Sequence, residues 1–477
     1  RRRQRLLAGF PAAAPESAGL DSEPLRRLQA AVDHNVNSLN ALPGCAHVVL
    51  KDGKCIFARA TGLSDLGRRA RFSLDTLCPL HGATKPLVTA AFLTLVDEGR
   101  VKLSDAVDKY ISFPDRVSRG TSTATRPAAT KPTLRHLLAM TAGVGYDDFR
   151  GYKKAMARVA RQQIQDLPGM CDALVEAPLQ FEPGRRYHYS FSTDLIGRLC
   201  EVLSGQRIDR FVKERLLKPL GMNDTYFDQA LPALKRKRMA TLYTVEDPPR
   251  RKPQPRAGRP QLKKRKRKVS GQKAAPTTRF VLKRAVFKAS APGIMSCGGG
   301  VLSYRDYGMV SSVRDYARFC QMLLDGGLAP GSRRRILSES LVSSLWVDGL
   351  AAYERPNGRV LGWHDSPSPM GQPRKYWDRI GWSLLNTHLV FKQAPGEQIA
   401  PRRGRVMWMG GGGGAFWSID RERGIVALSF APIIGGRATE EDGLGPLAND
   451  ASPFAAEAVD GASGGNGAKR RRSSDGN

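Results

Sequence analysis

The sequence predicts an α+β fold: one antiparallel sheet flanked by helices, with a mainly helical subdomain inserted into it. Three observations carry this. Apolar β-prone runs gather near both ends of the chain, helical spacing dominates between them, and no internal repeat divides the 477 residues. Strands that far apart in sequence reach one core only by sharing a sheet. The sheet subdomain spans about 16–105 and 292–443, and the helical subdomain about 106–247.

The elements follow in order. Ala46–Leu50 and Cys55–Ala58 flank Lys51-Asp52-Gly53-Lys54, and Asp-Gly between such runs signals a hairpin. Pro86–Glu98 is apolar nearly all round, opened by proline and closed by Gly99, so it reads as a buried helix. Thr133 caps a short helix through Met140. Ser192 or Thr193 starts another, with Leu195, Ile196, Leu199, Val202 and Leu203 at helical spacing and Gly205 as its stop. Ser312 with Asp315 has the form of a capping box before Tyr316, Phe319 and Leu323. Arg405–Met409, Ala415–Asp420 and Ile425–Phe430 read as strands, the last two around the charged turn Arg421–Gly424.

Composition narrows the class. Hydrophobic and charged shares of 41% and 25% are those of an ordinary globular protein. The most apolar stretch, around Pro86–Val96, is too short to span a bilayer, so no transmembrane segment is expected. The 76 basic side chains against 44 acidic ones give a net charge of +32, and much of the excess is local. Arg250–Lys268 holds 11 Lys/Arg and no acid, within the Pro-rich stretch 248–291, which reads as an exposed, disordered insertion. Such a run attracts polyanions or serves nuclear import, though by itself it is weak evidence for nucleic-acid recognition. Residues 1–15 form a basic tail, read either as the remnant of a targeting segment or as a trimmed end. Residues 444–477, rich in Gly, Ala and Ser, read as a disordered tail. Seven scattered cysteines, odd in number and without C-x-x-C pairs, fit reduced thiols in a soluble intracellular protein. No metal-ligand spacing occurs, and no cofactor is expected.

The chemistry concentrates at His81-Gly82-Ala83-Thr84-Lys85-Pro86, at the head of the buried helix. Further segments follow in order: Pro132–Gly143; Pro183-Gly184 to Tyr187-His188-Tyr189-Ser190 and Asp194-Leu195-Ile196-Gly197; Pro219–Met222 with Asp224-Thr225; Asp315–Phe319 with Met322–Leu324; and Trp408–Asp420. Together these resemble the serine β-lactamase-related family, especially its class C β-lactamase and family VIII carboxylesterase branches. The resemblance covers roughly residues 15–435 without the insertion, and it implies the β-lactamase/transpeptidase-like α/β sandwich. The family motif is S-x-x-K at a helix N-terminus, where three-residue spacing lets the lysine amine reach the serine hydroxyl. This chain carries Gly82 in the serine position and keeps Lys85. The resemblance makes Tyr189 the relay tyrosine, with Phe191 where β-lactamases carry Asn. It puts Met409-Gly410-Gly411 in the third motif, where the branches carry Lys-Thr-Gly or Trp-Gly-Gly, so those three are the expected substrate-binding residues.

Glycine has no side chain to attack with, so the covalent serine route is lost, although the Gly82 N–H remains available at a helix head. Thr84 lies two residues along and faces another side of the helix. His81 adjoins the site, but a lone histidine is more often structural. Taken alone Tyr189 is a core tyrosine; with the motifs beside it, it belongs to the pocket. Three functions follow from these residues: a pseudoenzyme holding a small acyl or carboxylate ligand; an active esterase or peptidase with a non-standard nucleophile; and a nuclear or nucleic-acid-associated protein acting through 250–268.

Overall fold

In a computed structural model, residues 7, 9–119, 124–146, 150–246, 280–285, 296–298, 308–353, 380–390, 404–410, 412–434, 455 and 457–460 are described. The Asp-Gly signal makes the first hairpin. Asp52 and Gly53 take φ of 47° and 72°, the left-handed pair of a tight two-residue turn, between β1 (Gly44–Lys51) and β2 (Lys54–Asp65). The short β3 (Ala70–Arg71) follows. From the C-terminal part come β4 (Ile380–Ser383), β5 (Thr387–Val390), β6 (Val406–Gly410), β7 (Ala415–Asp420) and β8 (Ile425–Phe430). These eight strands form one antiparallel sheet in the order β4-β5-β6-β7-β8-β1-β2-β3. The two chain halves therefore join at β1 and β8, in a register that sets Ala46 opposite Phe430 and Leu50 opposite Val426.

Both faces of that joint are covered. Ala46, Val48 and Leu50, with Val426, Leu428 and Phe430, face the larger core. Cys45, Val49, Ile425 and Ala427 face the other side, under Leu25, Leu28 and Val32 of α1 (Glu23–Asp33). A two-residue period explains why β1 and β8 are apolar throughout: alternate residues serve different cores. On the larger face lies α2 (Thr84–Asp97), buried on every side from Thr84 to Leu95. Around it are α3 (Leu134–Leu138), α4 (Arg150–Ala160), α5 (Leu167–Val175), α6 (Ser192–Ser204) and α7 (Val313–Leu324). α2 packs on α6, which carries the helical subdomain onto the sheet.

The caps fall where the sequence puts them. The Thr133 hydroxyl accepts from the His136 N–H while His136 Nδ1 accepts from the Thr133 N–H, and Gly205, at φ 70°, ends α6. The Ser312 hydroxyl accepts the Asp315 N–H, but the Asp315 carboxylate does not close the expected capping box. It turns away to accept the Asp224 N–H at 2.6 Å and the Thr225 hydroxyl at 3.1 Å. A buried carboxylate gains more from two donors on a neighbouring segment than from one on its own turn.

Three stretches depart from the tails and insertion predicted above. Leu7 and Phe10 are buried in the main core, and residues 11–13 bond to Cys55 of β2. Val281–Arg284, counted within the basic insertion, is a strand antiparallel to Tyr243–Glu246. Ala455 and Ala458 are buried against the α1 core, the Asp21 N–H donates to Ala458 O at 2.8 Å, and Arg423 pairs with Asp460. Averaged composition hid a few apolar anchors in polar surroundings. The run 250–268 lies outside the described residues. All seven cysteines are buried and unbridged. Among the described residues no helix is long and apolar enough to cross a membrane.

Phe430 closes the joint, with its ring 5.9 Å from that of Tyr316 and no exposed surface. Phe430→Ala should lower the unfolding free energy by about 3–5 kcal/mol, read as a fall in the urea midpoint at unchanged m-value. A loss below about 1 kcal/mol would contradict this packing.

Candidate functional site

The site begins where Cys78–Pro79 pairs with Met309–Ser311 and the Leu80 N–H donates to Met309 O at 2.9 Å. The chain then turns through His81, at φ 45°, into one 3₁₀ turn, His81–Ala83, that leads directly into α2. Left-handed backbone at a non-glycine residue persists only where the surroundings enforce it. Here three bonds do so: Ala83 N–H to Leu80 O at 2.9 Å, Tyr316 O–H to Ala83 O at 2.8 Å, and Met309 N–H to Thr84 Oγ1 at 3.0 Å. From Thr76 to Leu95 every residue is buried except Gly82. Gly82, the expected nucleophile position, is thus the one partly exposed residue of this stretch. Thr84, by contrast, is fully buried with its hydroxyl held against Met309.

One turn on, Lys85 is 1% exposed. Its ammonium donates to Gly298 O and lies over the face of the Tyr189 ring, 4.4 Å from the centroid. The structure therefore brings together the two expected relay residues, joined by a cation–π contact. Behind them stands a group that motif reading quoted without a role. Asp194, in the first turn of α6, is buried, and its Oδ1 accepts from the N–H groups of Cys297 at 2.8 Å and Gly298 at 3.0 Å and from the Ser296 hydroxyl at 3.4 Å. Burial pushes the Asp194 carboxyl above the usual carboxylate range, while the Gly298 N–H, the Lys85 charge and the Cys297 N–H pull it back. A β-carbon on Gly298 would fall 2.6 Å from Asp194 Oδ2 and 3.5 Å from Lys85 Nζ, so only glycine leaves room for this meeting. A buried acid on an otherwise apolar helix face was the available sequence signal.

The opposite wall is the β6–β7 hairpin, which packs against the His81–Ala83 turn. Gly410 ends β6 opposite Phe416, and Met409 pairs with Trp417. Of the expected substrate-binding residues, the backbones of Met409 and Gly410 reach this wall, while Gly411 and the Met409 side chain lie outside the described residues. A β-carbon on Gly413 would strike His81 Cδ2 at 2.5 Å, so the hairpin tip sits on the imidazole. Burial, with the Lys85 charge, lowers the His81 ring to about 4. On the remaining side the Tyr189 ring meets those of Tyr146 and Trp382 edge-on, at 6.0 and 6.3 Å. The Trp382 Nε1–H donates to Leu138 O at 3.2 Å.

Comparison with known proteins fits this architecture. The Beta-lactamase family profile matches residues 32–432, and the chain belongs to that family. It is a hydrolase-like domain. Esterase EstB of Burkholderia gladioli is 31% identical over 225 residues, 46% of this chain and 55% of EstB, so the match spans little more than half of that relative. Protein Rv1367c of Mycobacterium tuberculosis is 25% identical over 396 residues, 81% of this chain and 85% of that one. Unliganded Simvastatin Synthase (LovD) from Aspergillus terreus shares the fold, with a TM-score of 0.65 at 20% identity over 91% of this chain and 98% of LovD.

The His81 ring should stay neutral at pH 7 and titrate near pH 4. Its folded value lies below the ordinary 6.5, so its contribution to stability is present above pH 6.5 and is lost as pH falls toward 4. NMR of selectively labelled histidine, assigned with His81→Asn, checks this; a His81 midpoint near 6.5 would contradict the packing of hairpin on imidazole.

Proposed function

We propose that this chain is a catalytically impaired member of its family that keeps a site for a small acyl or carboxylate ligand. The observation that carries the reading is Gly82: the one outward-facing residue of its stretch holds the nucleophile position and has no side chain. The family route needs an oxygen there to bond the acyl carbon and a neighbour to take its proton. Glycine supplies no such oxygen, and losing a nucleophile of this kind costs roughly a millionfold in rate elsewhere. Thr84 is a poor substitute, since its hydroxyl is buried against the Met309 N–H.

What remains favours binding. The Gly82 N–H sits at the head of α2, where backbone donors attract a carbonyl or carboxylate oxygen. Lys85 and Tyr189 stand one turn behind it, and the β6–β7 hairpin faces it. The name of Esterase EstB supports an acyl group as the ligand's recognition element.

A fluorophosphonate probe should leave the protein unlabelled, and p-nitrophenyl esters and chromogenic β-lactams should turn over no faster than with Lys85→Ala. Turnover abolished by Lys85→Ala, or an adduct mapped by mass spectrometry to any residue, would overturn the reading. Gly82→Ser should gain probe labelling at position 82, because the lysine and tyrosine around it are in place.

A further inference from the structure

A cavity of about 220 Å³ opens between α5, α6 and the segment at Ile111, lined by side chains that the Lys85 cluster does not use. Helical spacing builds its walls. Leu195, Arg198 and Val202 lie at i, i+3 and i+7 on one stripe of α6, while Asp194, which holds the Cys297 and Gly298 N–H groups, lies on the next. Cys171, Asp172 and Val175 of α5 line the cavity with that stripe. Cys171 and Leu195 are buried and make its floor, Ile111 and Val175 are half-buried, and Val202 is 41% exposed, an apolar side chain left in water. An apolar body that covers these side chains gains by removing them from water. A cavity of about 150 Å³ holds benzene, so this one has room for roughly nine heavy atoms.

The charges around the cavity are in excess of one sign. The Arg198 guanidinium is paired with the Glu201 carboxylate, 3.3 Å away. The Asp172 carboxylate is exposed and has no ion-pair partner among the described residues. Burial raises the Cys171 thiol well above its usual range, and of the charged groups acting on that thiol three are the carboxylates of Asp194, Glu201 and Asp172, against the one guanidinium of Arg198.

We propose that this cavity binds a small organic amine, with the ammonium on Asp172 and a short branched apolar chain against Val175, Leu195 and Val202. Its contacts involve neither Gly82 nor Lys85. An anion would enter a field of its own sign, whereas an ammonium compensates the carboxylate that lacks a partner. An ion pair at a solvent-open rim is worth up to about fivefold in affinity, and burial of the apolar chain supplies the rest.

The test titrates isoamylamine and its neutral counterpart isoamyl alcohol into the full chain with labelled Leu and Val methyl groups, following Val175, Leu195 and Val202 by NMR. Both compounds should shift these signals, and the amine should bind about threefold more tightly or better. Asp172→Asn should remove that preference while leaving alcohol affinity within about twofold, and Asp172→Glu should keep it, which separates charge recognition from loss of folding. Equal affinities for the two compounds, or a preference unchanged in Asp172→Asn, would overturn the amine assignment. Failure of both compounds to shift the three residues' methyl signals would overturn the cavity as a binding site, whatever the outcome at Gly82.

Discussion

A buried lysine facing a buried aspartate across a glycine is the constraint on which this site depends. Taking an ammonium and a carboxylate out of water costs several kcal/mol for each ion. Each is therefore surrounded by compensation: Gly298 O and the Tyr189 face for the ammonium, and the Cys297 and Gly298 N–H groups for the carboxylate. These contacts tie together the head of α2, the first turn of α6 and the segment 296–298, which lie up to 213 residues apart in sequence. They fasten α6 to the head of α2 beside Gly82.

The turn at Gly82 is held by its neighbours. None of the bonds that shape the turn uses the side chain of residue 82. Tyr316 holds Ala83, Met309 holds Thr84, and the hairpin tip rests on His81.

Legibility in the sequence followed the range of the interactions. The Asp52-Gly53 turn, the buried helix after Pro86, the Thr133 cap and the Gly205 stop are set within a few residues, and each formed as read. Lys85 and Tyr189 could be named only because ordered motifs resembled a family; no local pattern joins residues 104 positions apart. Asp194 was passed over because its partners lie more than 100 residues onward. The Ser312 box misled for the same reason: its acid found donors at Asp224 and Thr225, about 90 residues away in sequence. Leu7, Phe10 and Val281–Arg284 were submerged in the averages of basic stretches.

The central claim is that Lys85 and Asp194 stabilise each other inside the fold. A double-mutant cycle on urea unfolding, with Lys85→Met, Asp194→Asn and the pair, tests it most directly. The account predicts that each single change lowers stability and that the double change costs at least about 0.5 kcal/mol less than the sum of the two. Small single costs that simply add would contradict it.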